Sequence, residues 1–439
     1  MTKEYLRISG LSGKKKLSGK IRVNGAKNAA LKAMTASILF GDSVKLENMP
    51  KIEDVLRTAD LLKELGAKVS ISENRICEID PRGISSTNLL SEISKRLRAS
   101  IVLSGPLLAR FGKVSFPHPG GCVIGARPID LFLEGFRKMG AGVSVEGDGE
   151  RARYVVSTFG KKLKGAEIFF RNQSVTATET FMMAGVLAEG ETVIKNAALE
   201  PEIAALAQFL NKCGAKIEGA GTSTIKIKGA KLLCANGKSY LIPPDRIEAG
   251  SFLVLAALAG RDITITDCEP LHIESLVALL RYSGVEMEVG KSDIRIKGSA
   301  SGKKKKYHAV DLKTHEYPGF PTDLQAPMVV YLTQAEGESL VFETIFEGRL
   351  NYAESLERMG AKITTMDPHR VMVKGPTPLL GKELESPDLR AGLAFVIAAI
   401  IAKGESVIHN VYNIDRGYER VEERLRGIGV SIERMSSLE

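Results

Sequence analysis

No stretch of this chain is apolar for long enough to cross a bilayer. The longest run, Ala391 to Ala402, is twelve residues, whereas a spanning helix needs about 20. The N-terminus, MTKEYLRISG, lacks the apolar region of a secretory signal. A disulfide framework is missing too: Cys77, Cys122, Cys213, Cys234 and Cys268 form no CxxC pair and leave an odd thiol, which fits a reducing compartment. A cytoplasmic location is therefore expected. The six histidines have no metal-ligand spacing, so no metal is expected, and neither a phosphate-binding P-loop nor a Ser/His/Asp order occurs. Aromatic residues make up 6% of the chain, and no run of them accompanies the basic residues. The net charge of +9 thus comes without the stacking platforms of single-strand binders, and neither nucleic acid nor a membrane is expected as a partner. The basic run Lys303–Lys306, flanked by Gly and Ser, reads as a solvated loop.

What is present is a repeat. Six times an apolar stretch of about ten residues is followed by a short β-type segment, a loop rich in Pro, Asp, Glu or Arg, an amphipathic helix, a glycine and further β-type sequence. The glycine is the clearest mark: Gly66, Gly140, Gly214, Gly284, Gly360 and Gly429, spaced by 69 to 76 residues. It suits the residue just past a helix, where a left-handed backbone penalises a side chain. The apolar stretches, such as SFLVLAALAG from Ser251 and AGLAFVIAAIIA from Ala391, have no polar face and predict helices buried on all sides. The second helix has one: Ile52, Val55, Leu56, Ala59 and Leu62 share a face, while Arg57, Asp60, Lys63 and Glu64 take the other. Strands are expected near Thr192–Lys195, Ile263–Thr266 and Ser406–His409, where β-branched residues are bounded by Gly and Asn. The reading is an α/β protein of two domains with three repeats each, sheets outside and apolar helices inside, divided near Pro243–Pro244.

Aligning the repeats puts charge at matching places. The apolar helices begin at GAKN (Lys27, Asn28), LRAS (Arg98), SVTAT (Ser174), PDRIE (Asp245, Arg246), PTDLQ (Asp323) and PDLRA (Arg390). The loops before the amphipathic helices hold Arg127, Glu200, Glu269, Arg349 and Arg416. Cations beside helix N-termini favour an anionic ligand, a carboxylate or a phosphate. The segment PGGCVIGARPID, Pro119 to Asp130, places Cys122 among three glycines and five residues before Arg127, a setting that activates a thiol.

These segments resemble one family along essentially the whole chain. NGAKNAAL at Asn24, RAS at Arg98, GPLLARFG at Gly105, PGGCVIGARPIDL at Pro119, PDRIE at Pro244, FPTDLQA at Phe320, DLRA at Asp388 and IDRGYER at Ile414 are similar to the UDP-N-acetylglucosamine 1-carboxyvinyltransferases. These are enolpyruvyl transferases of peptidoglycan precursor synthesis, related to 5-enolpyruvylshikimate-3-phosphate synthase. The resemblance implies two inside-out α/β barrels with an interdomain cleft, each of three βαβαββ-type units. One would comprise residues 1–21 plus 243–439, the other 22–242 with the cysteine loop. It implies transfer of the enolpyruvyl group of phosphoenolpyruvate to the sugar 3-hydroxyl through a tetrahedral ketal, without a cofactor. Cys122 would protonate the methylene carbon and be the thiol that fosfomycin alkylates, and Asp323 would be the general base. Lys27, Arg98, Arg127 and Arg416 would hold phosphoenolpyruvate. Asn28, Arg98, Arg127, Pro128, Ile129, Asp130, Leu131, Ser174, Val175, Asp323 and Ile345 would hold the UDP-sugar. Asp245, Arg246, Arg349 and Arg390 would support the closed site.

The chain departs from the family pattern at three places on the nucleotide-sugar side, and an extra His118-Pro119 lengthens the approach to the glycine loop. Phe132 stands where His is usual near the diphosphate, Asn172 where some members have Lys, and Leu199 where some have Arg. This leaves open a paralogue acting on a related UDP-sugar. An enzyme like 5-enolpyruvylshikimate-3-phosphate synthase is disfavoured, because RASIVLSGPLLARFG stands where that family has its GNAGTA-type loop.

Overall fold

The computed structural model describes residues 3–89, 92–117, 129–148, 152–297 and 306–437. The chain divides into two compact units. Among the described residues, one comprises residues 3–24 and 244–437, the other residues 25–117 and 129–243. Each has its own continuous hydrophobic core.

In the unit built on Gly25–Pro243, each repeat makes one sheet. The first pairs strand Val44–Glu47 antiparallel with Cys77–Asp80, which pairs antiparallel with Lys68–Ile71. Ser239–Leu241, from the far end of the unit, runs parallel to Val44–Glu47, so the tail of the third repeat completes the sheet of the first. The third repeat's sheet has the same order: Glu167–Phe169, Glu191–Lys195, Thr224–Lys228, Lys216–Glu218. The second has three strands, Lys113–Pro117, Arg153–Ser157 and Gly142–Glu146, with a single parallel bridge from Asn88 to Ser115 in place of the fourth.

The other unit repeats the plan. Leu17–Arg22 runs parallel to Gly260–Thr266, and Leu312–Lys313 parallel to Gly337–Phe342. In the sixth sheet the N-terminal strand Lys3–Ser9 lies antiparallel between Glu405–His409 and Ser431–Ser437. Strands alternate buried and open residues, as in Glu191–Lys195 and Glu405–His409, so each sheet offers one face to the core.

The apolar helices form where expected: Lys27–Ala36, Val175–Leu187, Arg246–Ala259 and Leu389–Ile401, buried nearly throughout. Two differ in how they begin. Ser104–Phe111 and Gln325–Leu332 are preceded by tighter turns, Arg98–Leu103 and Thr322–Leu324. Helices Ser104–Phe111 and Val175–Leu187 touch closely, since a Cβ on Gly105 would meet the Thr180 carbonyl oxygen at 2.4 Å. The repeat glycines all have positive φ, from 85° at Gly140 to 109° at Gly66, which explains why glycine recurs there. A second recurrent left-handed residue follows the strand that comes after the apolar helix in four repeats: Asn48, Asn196, Asp267 and Asn410. Asn and Asp are the residues that tolerate that conformation best after glycine.

Candidate active site

In the Gly25–Pro243 unit, Lys27 opens its helix and its Nζ lies 2.6 Å from Asp54 Oδ2. Asp54 is in the first turn of the amphipathic helix Glu53–Glu64 and is 4% exposed. The apolar periodicity that defined this helix carried no sign of Asp54, a carboxylate placed among the residues facing the core. Asn28 follows Lys27 and is half-buried. Ser174 caps helix Val175–Leu187 by accepting from the Ala177 N–H at 3.2 Å. Ile129 is buried, Asp130 opens helix Asp130–Lys138 at the surface, and Leu131 is half-buried. Phe132 points into the core, its ring centroid 6.3 Å from that of Phe181, which also meets Phe136 and Phe170. Arg98 opens the turn Arg98–Leu103. Its side chain, like all of Cys122, Arg127 and Pro128, lies outside the described residues.

The other unit brings three of the sequence-derived residues into direct contact. Asp323 sits in the turn Thr322–Leu324. Its Oδ1 accepts from Arg349 Nη2 at 2.6 Å, and its Oδ2 from Arg390 Nε at 3.0 Å, with Nη2 of Arg390 2.8 Å away. The arginine side chains are 4% and 5% exposed and the aspartate 27%. Burial alone would raise the Asp323 pKa, but Arg390 and Arg349 outweigh it and hold the carboxyl well below the usual carboxylate range. Burial pulls the Arg390 guanidinium down, and the Asp323 charge more than restores it, so it stays protonated. Arg390 also donates from Nη1 to the Tyr418 hydroxyl at 2.9 Å and lies 5.6 Å from that ring.

Asp245 accepts from the Ile247 and Glu248 N–H groups at 2.9 and 3.0 Å, capping helix Arg246–Ala259, and its charge reaches Arg390. Arg246 lies over the Tyr317 ring at 5.6 Å. Ile345 is half-buried and donates its N–H to Glu343 at 2.8 Å. Arg416 follows the short helix Tyr412–Asp415 and is half-buried. Asp415 beside it is gripped by Arg434 at 2.7 and 2.8 Å, and Arg434 also bonds Glu422 and Glu4.

Three helix N-termini are partly occupied by their own side chains. Ser174 accepts from one first-turn amide, and Asp245 and Asp388 from two each, at the start of three apolar helices, as short polar caps do. An anion there shares the remaining amides with these caps and draws the rest of its binding from side-chain cations. Asp54, Glu343, Tyr418 and Arg434 were missed because each acts as a partner across the fold, and spacing along the chain carries no such signal. No group of three or more His, Cys, Asp or Glu fit to hold a metal occurs among the described residues.

Two sets of three αβ repeats, with a carboxylate held by arginines at the start of one buried helix, define the class: the fold is that of the enolpyruvyl transferases. The enolpyruvyl transferase NikO from Streptomyces tendae superposes with a TM-score of 0.86 at 22% identity, covering 100% of both chains. An EPSP synthase from Acinetobacter baumannii gives 0.72 at 20% identity, covering 99% of this chain and 100% of that one. The family model for EPSP synthase (3-phosphoshikimate 1-carboxyvinyltransferase) matches residues 11–425. The UDP-N-acetylglucosamine 1-carboxyvinyltransferase of Acidobacterium capsulatum is 45% identical over 432 residues, covering 98% of this chain and 96% of its own. That of Koribacter versatilis is 44% identical over 425 residues, covering 96% and 95%. The chain belongs to the EPSP synthase family, and within it to the UDP-N-acetylglucosamine 1-carboxyvinyltransferases.

Proposed function

We propose that this chain transfers the enolpyruvyl group of phosphoenolpyruvate to the 3-hydroxyl of UDP-N-acetylglucosamine and releases phosphate, the committed step of peptidoglycan precursor synthesis, in the cytoplasm and without a cofactor. The observation that carries the reading at the site is the contact of Asp323 with Arg349 and Arg390, residues that the family resemblance had singled out separately. Lys27, Arg98, Arg127 and Arg416 hold the trianionic donor. Cys122 protonates its methylene carbon, and Asp323 takes the proton of the sugar hydroxyl. Asn28, Pro128, Ile129, Asp130, Leu131, Ser174, Val175 and Ile345 serve the UDP-sugar.

Both oxygens of Asp323 are engaged by arginines, which hold its pKa down and make it a weak base. An incoming carboxylate or phosphate competes for the same guanidiniums. Release of either arginine from Asp323 raises its basicity, so donor binding and activation of the base become one event. The three departures concern the nucleotide-sugar side, and Phe132 is absorbed into a ring cluster. The deciding experiment measures phosphate release from phosphoenolpyruvate with a panel of UDP-sugars. UDP-N-acetylglucosamine should be the preferred acceptor, and Cys122→Ala and Asp323→Ala should each lower kcat at least about 100-fold. Preference for another UDP-sugar would move the chain to a paralogous activity, and wild-type rates in either variant would remove that residue from its role.

A further inference from the structure

Glu343 is 0% exposed, yet it carries no assigned role. One of its oxygens, Oε1, accepts the N–H groups of Ile345 at 2.8 Å and Phe346 at 3.2 Å. The other, Oε2, accepts from the Thr322 hydroxyl at 2.9 Å. Its backbone is fixed as well: the Glu343 N–H donates to the His369 carbonyl at 2.8 Å, and His369 Nδ1 lies 2.8 Å from the Glu343 carbonyl. Thr322 immediately precedes Asp323 in one turn, whereas Ile345, Phe346 and Arg349 belong to another loop. Within that loop, the Arg349 N–H donates to the Phe346 carbonyl at 3.2 Å. Glu343 therefore joins the turn that aims Asp323 to the loop that brings Arg349 to it.

A capping side chain at the surface would satisfy the two loop amides at far lower desolvation cost than a buried carboxylate. The added feature is the second oxygen, which reaches the Thr322 hydroxyl. We infer that Thr322 and Glu343 are positioning residues for the reaction. Their hydrogen bond sets the orientation of Asp323 relative to Arg349 and to the sugar hydroxyl it deprotonates. The inference rests on the base role proposed above for Asp323. Misplacement of a reacting group by about 1 Å costs up to roughly 100-fold in rate, so loss of one orienting bond is expected to act on kcat.

The test uses the full-length enzyme with phosphoenolpyruvate and UDP-N-acetylglucosamine. Thr322→Val is nearly isosteric and removes only the donor, and Thr322→Ser restores it. Thr322→Val should lower kcat roughly 10- to 100-fold, with KM for phosphoenolpyruvate within about twofold of wild type. Thr322→Ser should recover most of the rate. Wild-type kcat in Thr322→Val overturns the proposal. So does a loss that Thr322→Ser shares, or a rate that follows a falling melting temperature while kcat per folded molecule stays constant. Asp323→Asn is the separate control. If it keeps wild-type kcat, the base assignment fails; if it is inactive while Thr322→Val is normal, only the positioning role fails.

Discussion

At the scale of single residues the balance at Asp323 is decided by magnitude. Taking a carboxylate out of water costs several kcal/mol, and this one keeps its charge because two buried guanidiniums lie within 3.0 Å. Removing the carboxylate leaves both arginines without that partner. Asp323→Asn should therefore destabilise the protein by about 3 kcal/mol at neutral pH, the low end for a broken buried pair, because the side chain is 27% exposed. The folded pKa is depressed, so the stabilisation is fully present above the ordinary aspartate value of about 4 and is lost as pH falls below it. Urea unfolding should show a wild-type advantage that is constant between about pH 5 and about pH 8 and shrinks under more acid conditions. The letters of this cluster were readable in the sequence, because each stands in a matching position of a repeat. Its closeness was not, because Asp323, Arg349 and Arg390 come from a tight turn, a loop and the first turn of a helix that lie far apart along the chain.

At the scale of elements, the helices were legible and their polar seams were not. Lys27–Ala36 and Val175–Leu187 read as apolar, yet Lys32 and Glu179 face each other between them at 3.0 Å, 8% and 1% exposed. Burial raises the Glu179 pKa to about 7; Lys32 opposes the shift, and Glu202 and Glu200 add to it. Because the folded value lies above the ordinary 4.5, the folded state prefers the protonated form. Stability from this group is therefore complete below about pH 4.5 and falls as pH rises to about 7. Glu179→Gln removes the titration. The stability of wild type relative to this variant should decline across that interval and level off above it, as read by melting temperature against pH. A flat difference would mean that Lys32 neutralises the site completely. Periodicity could not show this pair, since a lysine and a glutamate each fit one turn of a helix without breaking its pattern. The early turns before Ser104–Phe111 and Gln325–Leu332 escaped for a related reason: a three-residue hydrogen-bond pattern and a four-residue one bury nearly the same side chains.

At the scale of the whole molecule, the repeat is what the sequence displayed best. Six glycines forced to positive φ are conspicuous, whereas a strand borrowed from a distant part of the chain leaves no local mark. The unit holding residues 244–439 depends on such a loan. Lys3–Ser9 contributes Leu6, paired with Ile408 on one side and Arg434 on the other, and Ile8, paired with Ser406 and Ile432. Leu6 and Ile8 are fully buried, and Glu4 on the same strand bonds Arg434, the residue that grips Asp415 beside Arg416. The strand therefore supplies core packing, completes a sheet and braces the loop of a proposed donor-binding arginine. Leu6→Ala should cost about 2–5 kcal/mol, as a large-to-small change in a closed core does. The loss should be local in origin. Amide exchange should accelerate first in Glu405–His409 and Ser431–Ser437, which lie on either side of the strand, while the sheets of residues 25–243 keep their protection. Equal acceleration in both units would show that they unfold as one cooperative body. Unchanged exchange in the two flanking strands would show that the N-terminal strand is dispensable to its sheet. The expected pattern makes Lys3–Ser9 a structural part of the unit holding residues 244–439, although some four hundred residues separate it from the strands it joins.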